Sequence, residues 1–266
     1  MKISIVTPCW NSESTILRTL DSIKNQLYPS IEWIIVDNLS SDNTLKLIKE
    51  NYIESDERSL KVISEKDKGI SDAFNKGVSS ATGEIVAILN SDDAYANEKI
   101  VSKVAEYFKD DGVDFVHGDM VFIDEDYGTN RRAPLLCSID YAMPYNHPTM
   151  FLRKKLYDDY GLFDVSYRLA MDYELVMRMY ESPVKCKANG KYLKEAMVNM
   201  YAGGMSDVME KKSIDEVEKA LRFHGFWSSE AAKNQSLRRK RIFLKSCLNK
   251  IGLGKLVALW RNYKWQ

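Results

Sequence analysis

The chain has 266 residues, 45% apolar and 29% charged, with 13 Gly and 6 Pro, which is globular usage and excludes a collagenous, coiled-coil or mainly disordered protein. No uncharged apolar run reaches the roughly 18 to 20 residues a bilayer-spanning helix needs, and the N-terminal apolar stretch stops at Asn11-Ser12-Glu13 with no small-residue cleavage site, so neither a spanning segment nor a signal peptide is expected. Thirty-eight basic residues balance 38 acidic ones, but the last acid is Glu230 and ten cations from Lys233 to Lys264 follow it, so an acidic body precedes a basic tail.

Lys2 to Thr7 is β-branched and apolar and ends at Pro8, which predicts a strand. Ser12, Ser14 and Thr15 then offer capping oxygens to a helix carrying Ile16, Leu20, Ile23 and Leu27 at helical spacing. Ile31 to Val36 predicts a second buried strand, ended by Asp37-Asn38. Ser41-Asp42 open a helix through Leu45 and Ile48. A third strand is expected at Leu60 to Ile63, a helix over Ile70 to Ser79, a fourth strand at Glu84 to Leu89 and a helix over Asn97 to Phe108. This alternation implies a mainly parallel sheet covered by helices. After Gly112 the pattern loosens. Short strands are predicted at Val113 to His117 and Met120 to Ile123, separated by Gly118-Asp119, then a loop holding Pro134, Pro144 and Pro148, and helices over Asp172 to Tyr180 and Ser213 to Ser229.

Cys9, Cys137, Cys186 and Cys247 lack the paired spacing of a zinc or redox site and read as reduced thiols of a cytosolic protein. In an open α/β sheet ligands bind at the carboxyl ends of the strands, and polar residues fall there: Thr7-Pro8, Asp37, Glu65-Lys66-Asp67 and Asp92-Asp93. The first turn, Thr7-Pro8-Cys9-Trp10-Asn11, has no glycine, which opposes a dinucleotide site and hence a dehydrogenase, and the phosphate loop ending in Gly-Lys-Ser/Thr is absent. Phosphate must be met another way, for which a divalent metal on carboxylates is the obvious device. Asp92-Asp93 fits that role, with turn or capping acids as the alternative.

Six ordered blocks carry a family resemblance: Ser4-Ile5-Val6-Thr7-Pro8 with Asn11; Glu32-Trp33-Ile34-Ile35-Val36-Asp37 with Ser40-Ser41-Asp42; Ser64 through Gly77; Ala81-Thr82-Gly83-Glu84; Leu89-Asn90-Ser91-Asp92-Asp93; and Gly161-Leu162-Phe163-Asp164 leading to Met171-Asp172-Tyr173-Glu174-Leu175 and Arg178. Over residues 1 to about 206 the chain resembles family 2 of the glycosyltransferases, inverting nucleotide-sugar enzymes of the GT-A fold, and within it the branch building O-antigen, capsule and colanic-type polymers. The resemblance implies an α/β GT-A domain over 1–230, with a nucleotide half at 1–110, an acceptor and catalytic-base half at 111–206 and a helix at 207–230. A basic amphipathic tail over 231–266 follows.

It also implies roles. Thr7, Pro8 and Glu13 match the loop against the nucleotide base, Asp37 the acid that bonds uracil or ribose, and Asp67, Asp72 and Lys76 the segment that closes over base and sugar. Asp92 and Asp93 match the metal motif for Mn2+ or Mg2+, Asp93 as direct ligand, with Asn90 where many members carry a third acid. Asp172 matches the catalytic base, Met171 replacing the acid that often precedes it. Gly203-Gly204 resembles the late loop near the diphosphate, or is a turn. His147 lines the acceptor pocket or is held by backbone in its loop. Asp37 alternatively caps the helix near Ser40, and Asp72 and Asp172 alternatively complement helix dipoles.

The expected activity is therefore hexosyl or N-acetylhexosaminyl transfer from a nucleotide sugar, UDP-linked, to a glycan acceptor on a polyprenyl diphosphate. A scaffold that keeps the fold without chemistry is opposed by the retained Asp92, Asp93 and Asp172. In the tail, cations alternate with Phe243, Leu248, Trp260 and Trp265 among other apolar residues. This describes a segment lying on an anionic inner-membrane surface from the cytoplasmic side, or a terminal helix docked on the acidic body. No nucleic-acid module is visible.

Overall fold

A computed structural model describes residues 1–124, 128–203 and 209–250. In chain order the elements are β1 (Ile3–Cys9), α1 (Ile16–Lys24), β2 (Ile31–Asp37), α2 (Thr44–Asn51), β3 (Arg58–Ser64), α3 (Ile70–Ser80), β4 (Ile85–Ile88), β5 (Ala94–Tyr95) and α4 (Ile100–Tyr107). They continue with β6 (Phe115–Asp124), β7 (Gly128–Arg132), a 3-10 turn at His147–Thr149, β8 (Phe151–Arg153), α5 (Lys155–Tyr160), α6 (Met171–Arg178), β9 (Tyr180–Ser182), β10 (Lys185–Cys186), β11 (Gly190–Tyr201), α7 (Glu210–Phe223) and α8 (Ser229–Lys250).

Nine strands form one sheet in the order β3-β2-β1-β4-β8-β6-β11-β5, with β7 beside β6. β1 to β4 are mutually parallel, and β6 and β11 share their direction, while β8, β5 and β7 run against it. The expected mainly parallel sheet is therefore present. Its central strands β1, β2 and β4 are buried throughout and mostly apolar because both faces are covered. Along β2, Ile31, Trp33 and Ile35 enter the core shared with α1 and α4, and Ile34 and Val36 enter the core shared with α3 and α6.

Several sequence expectations need correction. Gly118-Asp119 does not separate two strands: β6 runs through both residues. A Cβ at Gly118 would lie 2.4 Å from Met197 Sδ on β11, so this glycine marks a close crossing within a sheet rather than a turn. Ser12, Ser14 and Thr15 give α1 no side-chain cap. The N-cap Thr15 makes no such bond, and it is the Ser12 carbonyl that accepts the N–H groups of Thr15 and Ile16. Leu27 lies beyond the end of α1 and is exposed. The helix expected over Ser213 to Ser229 stops at Phe223, and a new helix begins at Ser229 with Ser228 Oγ accepting the Ala231 N–H at 3.0 Å. The division drawn at residue 230 thus falls inside α8.

The first turns of α8 are docked. Ala231 and Gln235 are fully buried, and Arg239 bonds Asp215 and Glu218 of α7 at 2.8 Å each. Trp260 and Trp265 lie outside the described residues.

α3 lies so close to β1 that a Cβ at Gly77 would sit 2.1 Å from Val6 Cγ1. Gly77→Ala is expected to push the two elements apart and to cost about 1–3 kcal/mol of stability, read by denaturant titration. An unchanged midpoint would show that the interface relaxes freely.

Candidate active site

The parallel strands β1, β2, β3 and β4 deliver their loops to one rim, and the loops are stitched to each other. Asn11 N–H donates to Ser40 Oγ at 2.8 Å, Asn11 Oδ1 accepts from the Ser41 N–H at 2.9 Å, and Glu13 Oε2 accepts from Asn43 N–H and Nδ2 at 3.0 and 2.9 Å. Asn38 Oδ1 accepts the Asp67 N–H at 2.9 Å. Ser12 Oγ meets Ser91 Oγ at 2.9 Å, joining the first loop to the acidic one.

Thr7 is fully buried within β1, its Oγ1 accepting from Trp33 Nε1 at 2.9 Å, and Pro8 is buried beside it. Surface available to a ligand begins at the exposed Trp10. Asp37 is buried, and its carboxylate accepts the Ser40 N–H and, at 2.6 Å, the Ser64 hydroxyl. In this geometry it holds the loop after β2.

Asp67 Oδ1 accepts the Gly69 N–H at 2.9 Å. Asp72 accepts the Lys68 N–H and lies 3.4 Å from Lys76 Nζ, which also meets Glu65 at 2.9 Å and the Lys66 carbonyl at 2.8 Å. The bond to Glu65, joined by the charge of Asp72, raises the Lys76 pKa. Asp67, Asp72 and Lys76 thus form one folded-over segment. Its helix is tied to the chain before α6 through Ser71 Oγ on the Tyr167 carbonyl and Asn75 on both backbone groups of Phe163.

Asp92 and Asp93 follow β4. Asp93 is 1% exposed. Burial pushes its carboxyl up to about 8, the adjacent Asp92 charge adds to this, and the Tyr201 N–H and the Asn90 amide oppose it. Burial also raises Asp92. Sequence reasoning missed the residues that hold this loop, all on α1 or β11. Thr19 Oγ1 donates to the Asp93 carbonyl at 2.6 Å, Arg18 donates to the Asp92 carbonyl at 3.4 Å, and the Arg18 guanidinium lies 3.5 Å above the Tyr201 ring. Asn90 Oδ1 is buried without a hydrogen-bond partner. Two carboxylates and an unsatisfied amide oxygen are a hard donor set, suited to Mg2+ or Mn2+. Among the described residues no third His, Cys, Asp or Glu joins them.

Asp172 lies in the first turn of α6 and is partly exposed, facing a cavity. The start of its helix is braced by the helix α7 that follows much later in the chain. Glu216 accepts the backbone N–H groups of Arg168, Leu169 and Ala170 at 2.8 to 3.1 Å. Also in that first turn, buried Glu174 meets His224 Nε2, just past α7, at 2.9 Å and Arg178 of its own helix at 3.0 Å. An isolated Glu on an amphipathic helix carries no sequence sign of such a role.

His147 stands between Phe74 and Phe163, ring centroids 6.0 and 6.2 Å away. Burial lowers its pKa and the Asp172 charge acts against that, so the structure brings His147 and Asp172 together. Gly203 adopts a φ of 107° in an exposed turn two residues past Tyr201. Gly204 lies outside the described residues.

The profile described as Glycosyl transferase family 2 matches residues 4–176, which take in all four rim loops and Asp172. The chain belongs to glycosyl transferase family 2. Over 223 residues it is 26% identical to a PGL/p-HBAD biosynthesis glycosyltransferase of Mycobacterium bovis (strain BCG), covering 82% of this chain and 85% of that one. Over 98 residues it is 37% identical to TuaG of Bacillus subtilis, a glycosyltransferase whose name assigns it to teichuronic acid biosynthesis, covering 37% and 38%. Among solved structures, TarS 1-349 of S. aureus in complex with UDP-GlcNAc superposes with a TM-score of 0.67 at 23% identity, covering 88% of this chain and 69% of that one. Against a second structure of TarS 1-349 the shares are 83% and 65%, so the chain spans about two thirds of that fragment. With the sheet order above, the fold is GT-A.

An acid that ionises near 3.8 when free and at about 8 when folded retains a proton that the unfolded chain has lost between those values. Stability therefore falls as pH rises through that window. In metal-free protein Asp93→Asn removes this fall, so the variant's melting temperature should gain on the wild type's from about pH 5 to about pH 8. A constant difference would put Asp93 in the ordinary carboxylate range.

Proposed function

We propose that this family 2 glycosyltransferase moves a hexosyl or N-acetylhexosaminyl group from UDP to a hydroxyl of a lipid-linked glycan, with inversion, in bacterial surface polysaccharide synthesis of the O-antigen kind. The observation that carries this reading is the presence in one domain of a buried carboxylate, Asp93, next to the partly buried Asp92 at the end of β4, and of a partly exposed carboxylate, Asp172, on a braced helix. The TarS complex with UDP-GlcNAc and the name of TuaG support the donor and the pathway class.

In this reading the loops bearing Thr7, Pro8, Glu13, Asp37, Asp67, Asp72 and Lys76 enclose the nucleoside and donor sugar, and Gly203-Gly204 flank the diphosphate. Asp93, with Asp92 and the Asn90 amide oxygen beside it, holds a divalent cation, Mn2+ or Mg2+. When bound, that cation supplies positive charge where the leaving diphosphate gains negative charge. Asp172 accepts the acceptor hydroxyl's proton as its oxygen bonds to the sugar C1, and the C1–phosphate bond breaks with its electron pair leaving on UDP. One displacement inverts the anomeric centre, so an α-linked donor gives a β-glycoside. The neutral His147 imidazole borders the acceptor side. The basic C-terminal segment brings the enzyme to an anionic membrane surface, the cytoplasmic face of the inner membrane. Phe243 and Leu244 are exposed on α8, and among the described residues no helix is long and apolar enough to cross a membrane.

Asp172→Asn keeps size and hydrogen bonding but takes no proton. Transfer should fall at least a thousandfold while UDP-sugar affinity stays within about twofold. Turnover near the original rate would assign the base elsewhere.

A further inference from the structure

A cavity of about 460 Å3 opens beside Asp172, within the range of about 300 to 1,000 Å3 typical of ligand pockets. One wall is α6 and the chain just before it; the opposite wall is α8. Asn234, Leu237, Arg238 and Arg241 all line it, and their spacing of three to four residues puts them on one helix face. This face differs in kind from the rest of the lining. Elsewhere the walls are mostly apolar, as at Met143, Leu169 and Val217, and Asp172 is the one carboxylate among the lining residues.

Two observations fit the α8 face to a ligand. Asn234 is more than nine-tenths buried, and its Nδ2 has no hydrogen-bond partner. A buried donor of this sort is costly unless something accepts from it. Arg238 bonds Gln235 Oε1 at 3.2 Å on its own helix, and Arg241 is exposed with no acid paired to it among the described residues. Next to them the rim carries Leu135, Tyr141 and Leu237, each at least 40% exposed. Guanidinium groups and an amide donor beside an open apolar rim fit an anion attached to an apolar chain.

We infer that this cavity seats the acceptor, with a phosphate of the acceptor against Arg238, Arg241 and Asn234, its apolar chain leaving over Leu135, Tyr141 and Leu237, and its reactive hydroxyl at Asp172. The inference rests on the transferase reading above and adds to it that α8 is part of the active site. α8 lies beyond the stretch that the family profile matches.

The test uses the full chain with farnesyl diphosphate, a diphosphate on an apolar chain, titrated by calorimetry in saturating UDP and Mn2+ so that the donor site is filled. Wild type should bind it at least tenfold more tightly than farnesol or inorganic diphosphate. Arg241→Ala and Arg238→Ala should each weaken it at least tenfold, Arg241→Lys should recover part of the loss, and UDP affinity should stay within twofold, which also reports an intact fold. Equal affinity in the alanine variants, or farnesol binding as tightly as its diphosphate, overturns the assignment. Phosphatidylglycerol vesicles form the second arm. If the variants lose vesicle binding yet keep farnesyl diphosphate affinity, the anion met by these arginines is a lipid headgroup and the acceptor assignment fails. Absence of UDP binding to wild type would instead sink the donor reading, while the farnesyl diphosphate comparison would still read the cavity.

Discussion

Two adjacent carboxylates, Asp93 buried and Asp92 partly so, set the electrostatic problem that this molecule is built around. Asp92 and Asp93 repel each other and both lose solvation, which is why burial and mutual charge push Asp93 so far up. A fold tolerates such a pair only if surrounding groups fix it in place. Here Thr19 and Arg18 of α1 hold the loop's carbonyls, and the end of β11 supplies the Tyr201 N–H. The Asn90 oxygen left without a donor adds to an excess of negative potential that a cation relieves. Arg18 donates to the Asp92 carbonyl and lies over the Tyr201 ring, and its charge offsets part of the upward shift on both carboxylates.

The second carboxylate site depends on long-range contacts. Asp172 sits in the first turn of a short helix, and a short helix end frays unless its N–H groups are met. Glu216, 44 positions on, accepts three N–H groups just before that turn, and Glu174 within it bonds His224 just past α7 and Arg178 one turn on. α7 is therefore a brace for α6, and Arg239 in turn fastens α8 to α7. The C-terminal helices and the turn that carries Asp172 are one mechanical unit. A chain cut after Glu230 would remove the buried Ala231 and Gln235 and one wall of the cavity, so the acidic body and the basic tail are not separable at that point.

Where both faces of a strand are buried, the sequence was plain to read. β1, β2 and β4 are buried along their whole length and mostly apolar, interrupted only by Ser4, Thr7, Glu32 and the terminal Asp37, and acids that now line the rim stand at or just after their ends. The second half was obscure for physical reasons. β8 and β5 are three and two residues long, too short for a period. β11 is long but mixes Lys191, Lys194 and Glu195 with apolar residues because much of it is only half-buried. Gly118 looked like punctuation, whereas Met197 packing on it makes glycine obligatory in mid-strand. Among site residues, acids at strand ends were legible from type and place. Arg18 and Glu216 were not, since each is an ordinary charged residue on a helix whose partner lies far away in sequence.

The central claim is that Asp93 joins a divalent cation to a nucleotide diphosphate. Titrating UDP into the full chain by calorimetry, with Mn2+ and then with EDTA, tests it most directly, using wild type and Asp93→Asn. The account predicts that Mn2+ tightens UDP binding at least tenfold in wild type and has no effect in Asp93→Asn, with both proteins folded. UDP affinity that is the same with EDTA as with Mn2+, or a Mn2+ effect that survives in Asp93→Asn, would contradict it.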